Sequence, residues 1–167
     1  MKNVGAILLG SVAVIAGSLL YYFKKQADLL SLFQYKILSV NIDNFTSELI
    51  TGKVNVLFTS VSSIEVTINE FYLDFYFDGN KVGFLQDVTP FIIPASTGTV
   101  AGQAQIPFSF SLSPQLVIGD VSDILAYTLK QKDANISLRG YASIQSGFIK
   151  ATLPITYDTT VQQLLSS

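Results

Sequence analysis

The densest grouping of chemically capable side chains falls on alternate residues of one short stretch: Tyr72, Asp74, Tyr76 and Asp78 within Phe71-Tyr72-Leu73-Asp74-Phe75-Tyr76-Phe77-Asp78. In a β-strand, residues two apart share a face. Two carboxylates and two phenols would then stand side by side, a set that could move protons or offer oxygens to a cation. The rest of the inventory opposes both uses. The 167-residue chain has no histidine, cysteine or tryptophan, so it can form no imidazole base, thiol nucleophile, Cys/His metal site or disulfide. Calcium needs several oxygens in a compact loop, and Asp78-Gly79-Asn80 is not followed by a further acid. Ser96–Gly102 contains Gly98 and Gly102 but not the lysine of a phosphate-binding loop. A solvated strand face with Asp78 opening a turn fits better. No catalytic residue, cofactor or metal is expected. Tyr72 and Tyr76, with Leu57, are expected to form an aromatic contact patch on the outer surface, since exposed aromatic residues favour protein contact; cross-strand pairing is the alternative use.

Composition narrows the setting. Charged residues make up 13% of the chain and hydrophobic residues 49%, against a usual charged share of roughly 25%. The formal net charge of −2 opposes nucleic-acid binding, which needs a basic footprint. The apolar excess is concentrated at one end. Val4 to Phe23 (VGAILLGSVAVIAGSLLYYF) runs without a charge, bounded by Lys2 and by Lys24 and Lys25. A helix of that length covers roughly 30 Å, the thickness of a bilayer core. The sequence therefore predicts a single transmembrane anchor over residues 1–25. Its anchor residues are Val4, Ile7, Leu8, Leu9, Val12, Val14, Ile15, Leu19, Leu20, Tyr21, Tyr22 and Phe23, with Tyr21 and Tyr22 beside the lysines at the headgroup layer. The rival, a cleaved signal peptide, has an apolar core of only ~7–15 residues. Residues 26–34 are expected to form a juxtamembrane linker or short amphipathic helix, leaving residues 35–167 as a solvated domain on the C-terminal side of the span.

In that domain, alternation replaces the solid apolar run. Val54, Val56 and Phe58 alternate with Lys53, Asn55 and Thr59; Ile64, Val66 and Ile68 alternate with Glu65, Thr67 and Asn69. This is the period of half-buried strands. The phase then slips by one residue, so that Phe71, Leu73, Phe75 and Phe77 face inward, as a β-bulge or bend would produce. Asp78-Gly79-Asn80 predicts a tight hairpin turn with Lys81–Leu85 as its return arm. Further strands are read at Phe91–Ala95, Gly102–Leu112, Ala134–Ile144 and Phe148–Tyr157. Pro107 and Pro154 cannot donate to a ladder, which predicts that their strands are at edges or irregular there. Ser113-Pro114 and the stripe Val121, Ile124, Leu125, Thr128 and Leu129 predict one helix, and Thr159–Leu165 a short last one. About seven antiparallel strands with one helix imply a mainly-β, two-sheet sandwich of immunoglobulin or fibronectin type.

Several of these segments, in order and spacing, resemble the water-stress (WHy) type of late-embryogenesis-abundant, desiccation-related proteins in a membrane-anchored form. Phe75-Tyr76-Phe77-Asp78-Gly79-Asn80-Lys81-Val82-Gly83 is similar to that family's strand–turn–Val-x-Gly hairpin. Ser62-Ser63-Ile64-Glu65-Val66 stands where its long third strand begins. Ile92-Ile93-Pro94-Ala95-Ser96, Leu138-Arg139-Gly140 and Gly147…Leu153-Pro154-Ile155 resemble later elements. The family's Asn-Pro before Ser-Ser-Ile is replaced here by Ser60-Val61. The resemblance implies a β-sandwich with a protective or structural, non-enzymatic role and no catalytic residues to carry over.

Anchor and resemblance together predict a non-enzymatic structural protein held beside a bilayer for protective or tethering contacts. Its expected partners are the lipid bilayer and protein neighbours in a larger assembly. Two other roles compete: a minor structural membrane protein of a membrane-containing virus or phage particle or an envelope assembly, and a module that binds or transfers lipid between its sheets.

Overall fold

A computed structural model describes residues 20–46, 48–113 and 133–165. Residues 20–31 form a helix, α1. Eight strands follow: β1 (Phe33–Phe45), β2 (Ile50–Ser60), β3 (Val66–Phe77), β4 (Asn80–Asp87), β5 (Phe91–Ile93), β6 (Gly102–Leu112), β7 (Asn135–Ser146) and β8 (Ile149–Thr160). A single turn of helix, α2 (Val161–Leu165), comes last. The strands make two antiparallel sheets. One has three strands in the order β1-β2-β6, and the other five, in the order β4-β3-β7-β8 with β5 also paired to β3.

Alternation decides which face of each strand is covered. On β2, Val54, Val56 and Phe58 are buried, and on β3 so are Val66, Ile68, Phe71, Leu73 and Phe75. The phase change on β3 sits at a register shift between Ile68 and Glu70 in its pairing with β7, where one extra residue turns every later side chain over. The inward rings of the two sheets meet: Phe71 stacks on Phe108 at 3.8 Å between centroids, Phe58 stands edge-on to Phe71, and Phe75 lies 4.8 Å from Phe110. Burial of this ring layer is the main stabilising contribution in the molecule, since each large side chain removed from water is worth roughly 1.5–3 kcal/mol.

Pro107 and Pro154 lie on β6 and β8, the outer strands of their sheets, where a missing N–H costs no ladder bond. The other two edges are blunted differently. β1 is interrupted by register shifts at Ile37/Ser39 and Ile42/Asn44, and β4 by one opposite Phe75/Tyr76. Such irregularities discourage further strands from pairing. The Tyr35 hydroxyl of β1 reaches across to the free edge of β8 and accepts the Thr156 N–H at 2.9 Å.

Four expectations change here. The single-pass membrane localisation is withdrawn: no helix among the described residues is long and apolar enough to cross a membrane. The physical reason lies in α1, which takes residues 20–23 of the expected span into a helix that also carries Lys24, Lys25, Gln26 and Asp28. This helix lies against the β domain, with Leu29 buried and Tyr22 and Leu30 packed on the core. The Gln26 side chain donates to the Lys150 carbonyl at 2.6 Å. Val4, Ile7, Leu8, Leu9, Val12, Val14, Ile15 and Leu19 lie outside the described residues. Second, residues 26–34, expected to form a linker or short amphipathic helix, divide between the last part of the helix α1, which ends at 31, and the start of β1 at 33. Third, Ile64 does not continue the inward row but is exposed in the β2–β3 loop. Two serine-capped turns shape that loop in place of Asn-Pro: Ser60 Oγ accepts the Ser62 N–H and Ser62 Oγ the Ile64 N–H. Fourth, the strands among the described residues number eight rather than about seven, because β1 adds one. The helix expected after Ser113-Pro114 lies outside the described residues.

Candidate functional site

The outer face of the five-stranded sheet gathers the candidate residues. Tyr72 lies opposite Gln86 on β4 and Tyr141 on β7; Asp74 lies opposite Phe84 and Arg139; Tyr76 lies opposite Lys81 and Ser137. The turn that holds β4 in this register places Asp78 at φ 46° and Gly79 at φ 83°. Two consecutive positive φ values match a type I′ turn, whose twist suits a hairpin and which Asp-Gly adopts at low cost. Asp78 Oδ1 also accepts the Asn135 N–H at 2.9 Å, which ties the turn to the start of β7. That is a structural task, and it takes Asp78 out of the polar cluster.

Three rings cross the face as a ladder. Tyr72 stacks between Phe84, at 5.9 Å, and Tyr141, at 5.5 Å, each with planes 21° apart. Gly140 allows this approach, because a Cβ there would overlap the Tyr72 carbonyl oxygen. The ionisable groups around the rings are partnered with one another. Tyr72 Oη donates to Asp74 Oδ1 at 2.6 Å, and Lys81 Nζ pairs with the same oxygen at 2.6 Å. Lys81 also stands over the faces of Tyr72 and Phe84. Tyr141 Oη and the Gln86 side-chain amide both donate to Glu70 Oε1. At the β8 margin, Asp158 accepts from Ser137 and from Arg139.

These bonds set the directions of titration. The hydrogen bond to Asp74 holds both the Tyr72 phenol and the Lys81 ammonium above their ordinary values. Partial burial, followed by Glu70, raises Tyr141. Asp158 is lowered by its bonds from Ser137 and Arg139. Each of these shifts carries a pKa further from neutral pH, whereas a general acid or base works best with a pKa near it. No three acids, histidines or cysteines among the described residues come together as a metal site.

Of the expected contact patch, the face unites Tyr72 and Tyr76. Leu57 is elsewhere: it lies on β2 of the other sheet, opposite Lys36 and Gln105. Phe84 and Tyr141 complete the ladder and were not among the expected residues. Tyr141 was accessible from alternation, since Arg139, Tyr141 and Ser143 alternate with buried Leu138, Ala142 and Ile144. Phe84 was harder to place, because the shift at Phe75/Tyr76 leaves Val82 without a partner and changes the phase of β4. Between the sheets, at the end where β3 finishes, Val40, Phe75, Phe110, Leu112 and Val161 help to line an apolar cavity of about 60 Å³. That is well below the roughly 300–1,000 Å³ of ligand pockets.

No family model matches the chain, and no curated protein matches it. Solved structures do. A crystal structure of a protein from Archaeoglobus fulgidus aligns over 76% of this chain and 93% of its own, at 10% identity and a TM-score of 0.54. A solution structure of an Arabidopsis thaliana protein aligns over 75% of this chain and 78% of its own, at 15% identity and a TM-score of 0.49. A solution structure assigned to the late embryogenesis abundant (LEA) proteins aligns over 93% of this chain and 86% of its own, at 12% identity and a TM-score of 0.46. At these identities the likeness to the archaeal protein is one of fold, and the chain's fold is mainly β with antiparallel sheets.

Proposed function

We propose that this chain is a non-enzymatic β-sandwich of the water-stress, desiccation-protein type, acting by protein contact through the outer face of its five-stranded sheet. The observation that carries the reading is the ladder Phe84–Tyr72–Tyr141, an aromatic row on a sheet face with Phe84 55% exposed. Rigid rings offer contact area at little conformational cost, and exposed apolar area rimmed by polar groups is the ordinary mark of an interaction site. The carboxylates and the lysine beside the rings are engaged with one another, so they stiffen the face. The sandwich architecture of the reading comes from the sequence resemblance to the water-stress family, and the two antiparallel sheets with rings meeting between them support it. In a drying medium, such a face would shield the apolar patches of neighbouring proteins as hydration falls.

Recovery of lactate dehydrogenase activity after drying and rehydration tests this. The chain is expected to preserve activity beyond an equal mass of an inert protein, and Phe84→Ser with Tyr141→Ser to lose most of that excess while remaining folded. Equal recovery with the chain and the inert protein contradicts the protective role. Full protection by the double variant contradicts the placement of the contact face.

A further inference from the structure

The end of the domain where α1 meets β1 differs in chemistry from the opposite end, and we infer that it is a docking surface for an anionic lipid surface, contacted peripherally through its loop tips. Phe148 in the β7–β8 turn is 78% exposed, Val100 in the β5–β6 loop 63%, and Val61 and Ile64 in the β2–β3 loop 55% each. Backbone and side-chain bonds hold these loops together as one rim. The Val61 N–H donates to the Leu32 carbonyl and the Ser96 N–H to that of Ser62. Ser146 Oγ donates to the Glu65 carbonyl, and Gln26 of α1 to that of Lys150, two residues from Phe148.

Charge selects the occupant. Lys24, Lys25 and Lys150 stand at this end with Asp28 and Glu65, a positive balance. Among the described residues at the opposite end, Asp43, Glu48, Asp78, Asp133 and Asp158 outnumber Lys53 and Lys81. Each lysine near an anionic membrane surface contributes about 1 kcal/mol, and apolar tips that enter the headgroup layer add the burial of their side chains. The chain's own continuation favours the same occupant, because the uncharged stretch ending at Phe23 joins the domain at this end through α1. The contact needs no helix that crosses the bilayer, and it is independent of the ladder face.

The absence of tryptophan gives a direct test on the full chain. Phe148→Trp places one fluorescent reporter on the rim, Ile64→Trp repeats it on a second tip, and Asn80→Trp places it at the opposite end. Circular dichroism verifies that each variant is folded. With phosphatidylcholine vesicles containing phosphatidylglycerol, emission from both rim reporters should shift to shorter wavelength and be quenched by brominated acyl chains. The Asn80→Trp reporter should do neither. On pure phosphatidylcholine, partitioning should weaken about fivefold, the worth of the one net positive charge at this end. Three outcomes overturn the proposal. One is failure of the protein to sediment with the vesicles. Another is sedimentation with both rim reporters unquenched, which places the contact elsewhere in the chain. The last is a vesicle-independent shift that grows with protein concentration, which makes the occupant a second copy.

Discussion

β3 presents similar side chains on two faces, and the two faces use them differently. Inward, Phe71 and Phe75 meet rings of the other sheet, and between them Leu73 is fully buried. Outward, Tyr72 stacks along its own sheet and binds Asp74 through its hydroxyl. A ring stacked across sheets excludes water from both layers, whereas a ring stacked along a sheet keeps one edge in solvent. Stability should therefore be concentrated on the inner face and recognition on the outer one.

The largest test of that division is Phe71→Ala. It removes a buried ring from the centre of the stack and should cost about 3–5 kcal/mol in a urea titration. A cost below about 1 kcal/mol would mean that the inner rings are not the core. Gly140→Ala comes next. The added methyl meets the Tyr72 carbonyl, so β3 and β7 must separate, and overpacking of this kind costs typically 1–3 kcal/mol. It should also blunt the contact activity, since it shifts the ladder itself.

pH probes the outer face and the adjoining end of the domain from both sides. Asp158 is held below its ordinary value by Ser137 and Arg139. Asp133, against the rise that partial burial alone would give, is held low by the N–H groups of Gln162 and Ala134 and by the Thr160 hydroxyl. Their contributions are present above the unfolded carboxylate value of about 4 and are lost as the medium acidifies through the lower folded values. Tyr72, Lys81 and Tyr141 are raised. Their contributions are complete below about pH 10 and fade as pH rises through the folded values. Urea midpoints should thus be flat through neutrality and fall on both limbs. Tyr72→Phe with Tyr141→Phe should flatten the alkaline limb, and an unchanged limb would remove the phenols from the account. The smallest expected effect is that of Tyr72→Phe alone, which deletes one partly solvated hydroxyl bond and should lower the urea midpoint at neutral pH only slightly.

How much was legible in the sequence follows from the regularity of each strand. β2 and β6 keep strict alternation and could be read almost residue by residue. On β3 even the bulge was visible, because the apolar row resumes cleanly at Phe71. β1 was not legible: its two register shifts place Leu38 outward between buried Ile37 and Val40, so no single period survives. It also follows directly on α1, whose apolar start reads as the end of the uncharged run. Tyr72 and Tyr76 were placed on one face by spacing alone. Leu57 falls outside that face for a different reason, since alternation says which way a side chain points relative to its own strand but not which sheet that strand joins. Strand pairing is set by non-local contacts, and no local pattern encoded that β2 pairs with β1 and β6 rather than with β3.

The central claim is that the outer face of the five-stranded sheet makes the protein's contacts. A photoreactive benzophenone amino acid at position 84, compared with the same group at position 57, tests it most directly in the native setting. The account predicts stoichiometric protein adducts from position 84 and few from position 57. Equal labelling from the two sheets, or none from position 84, would contradict it.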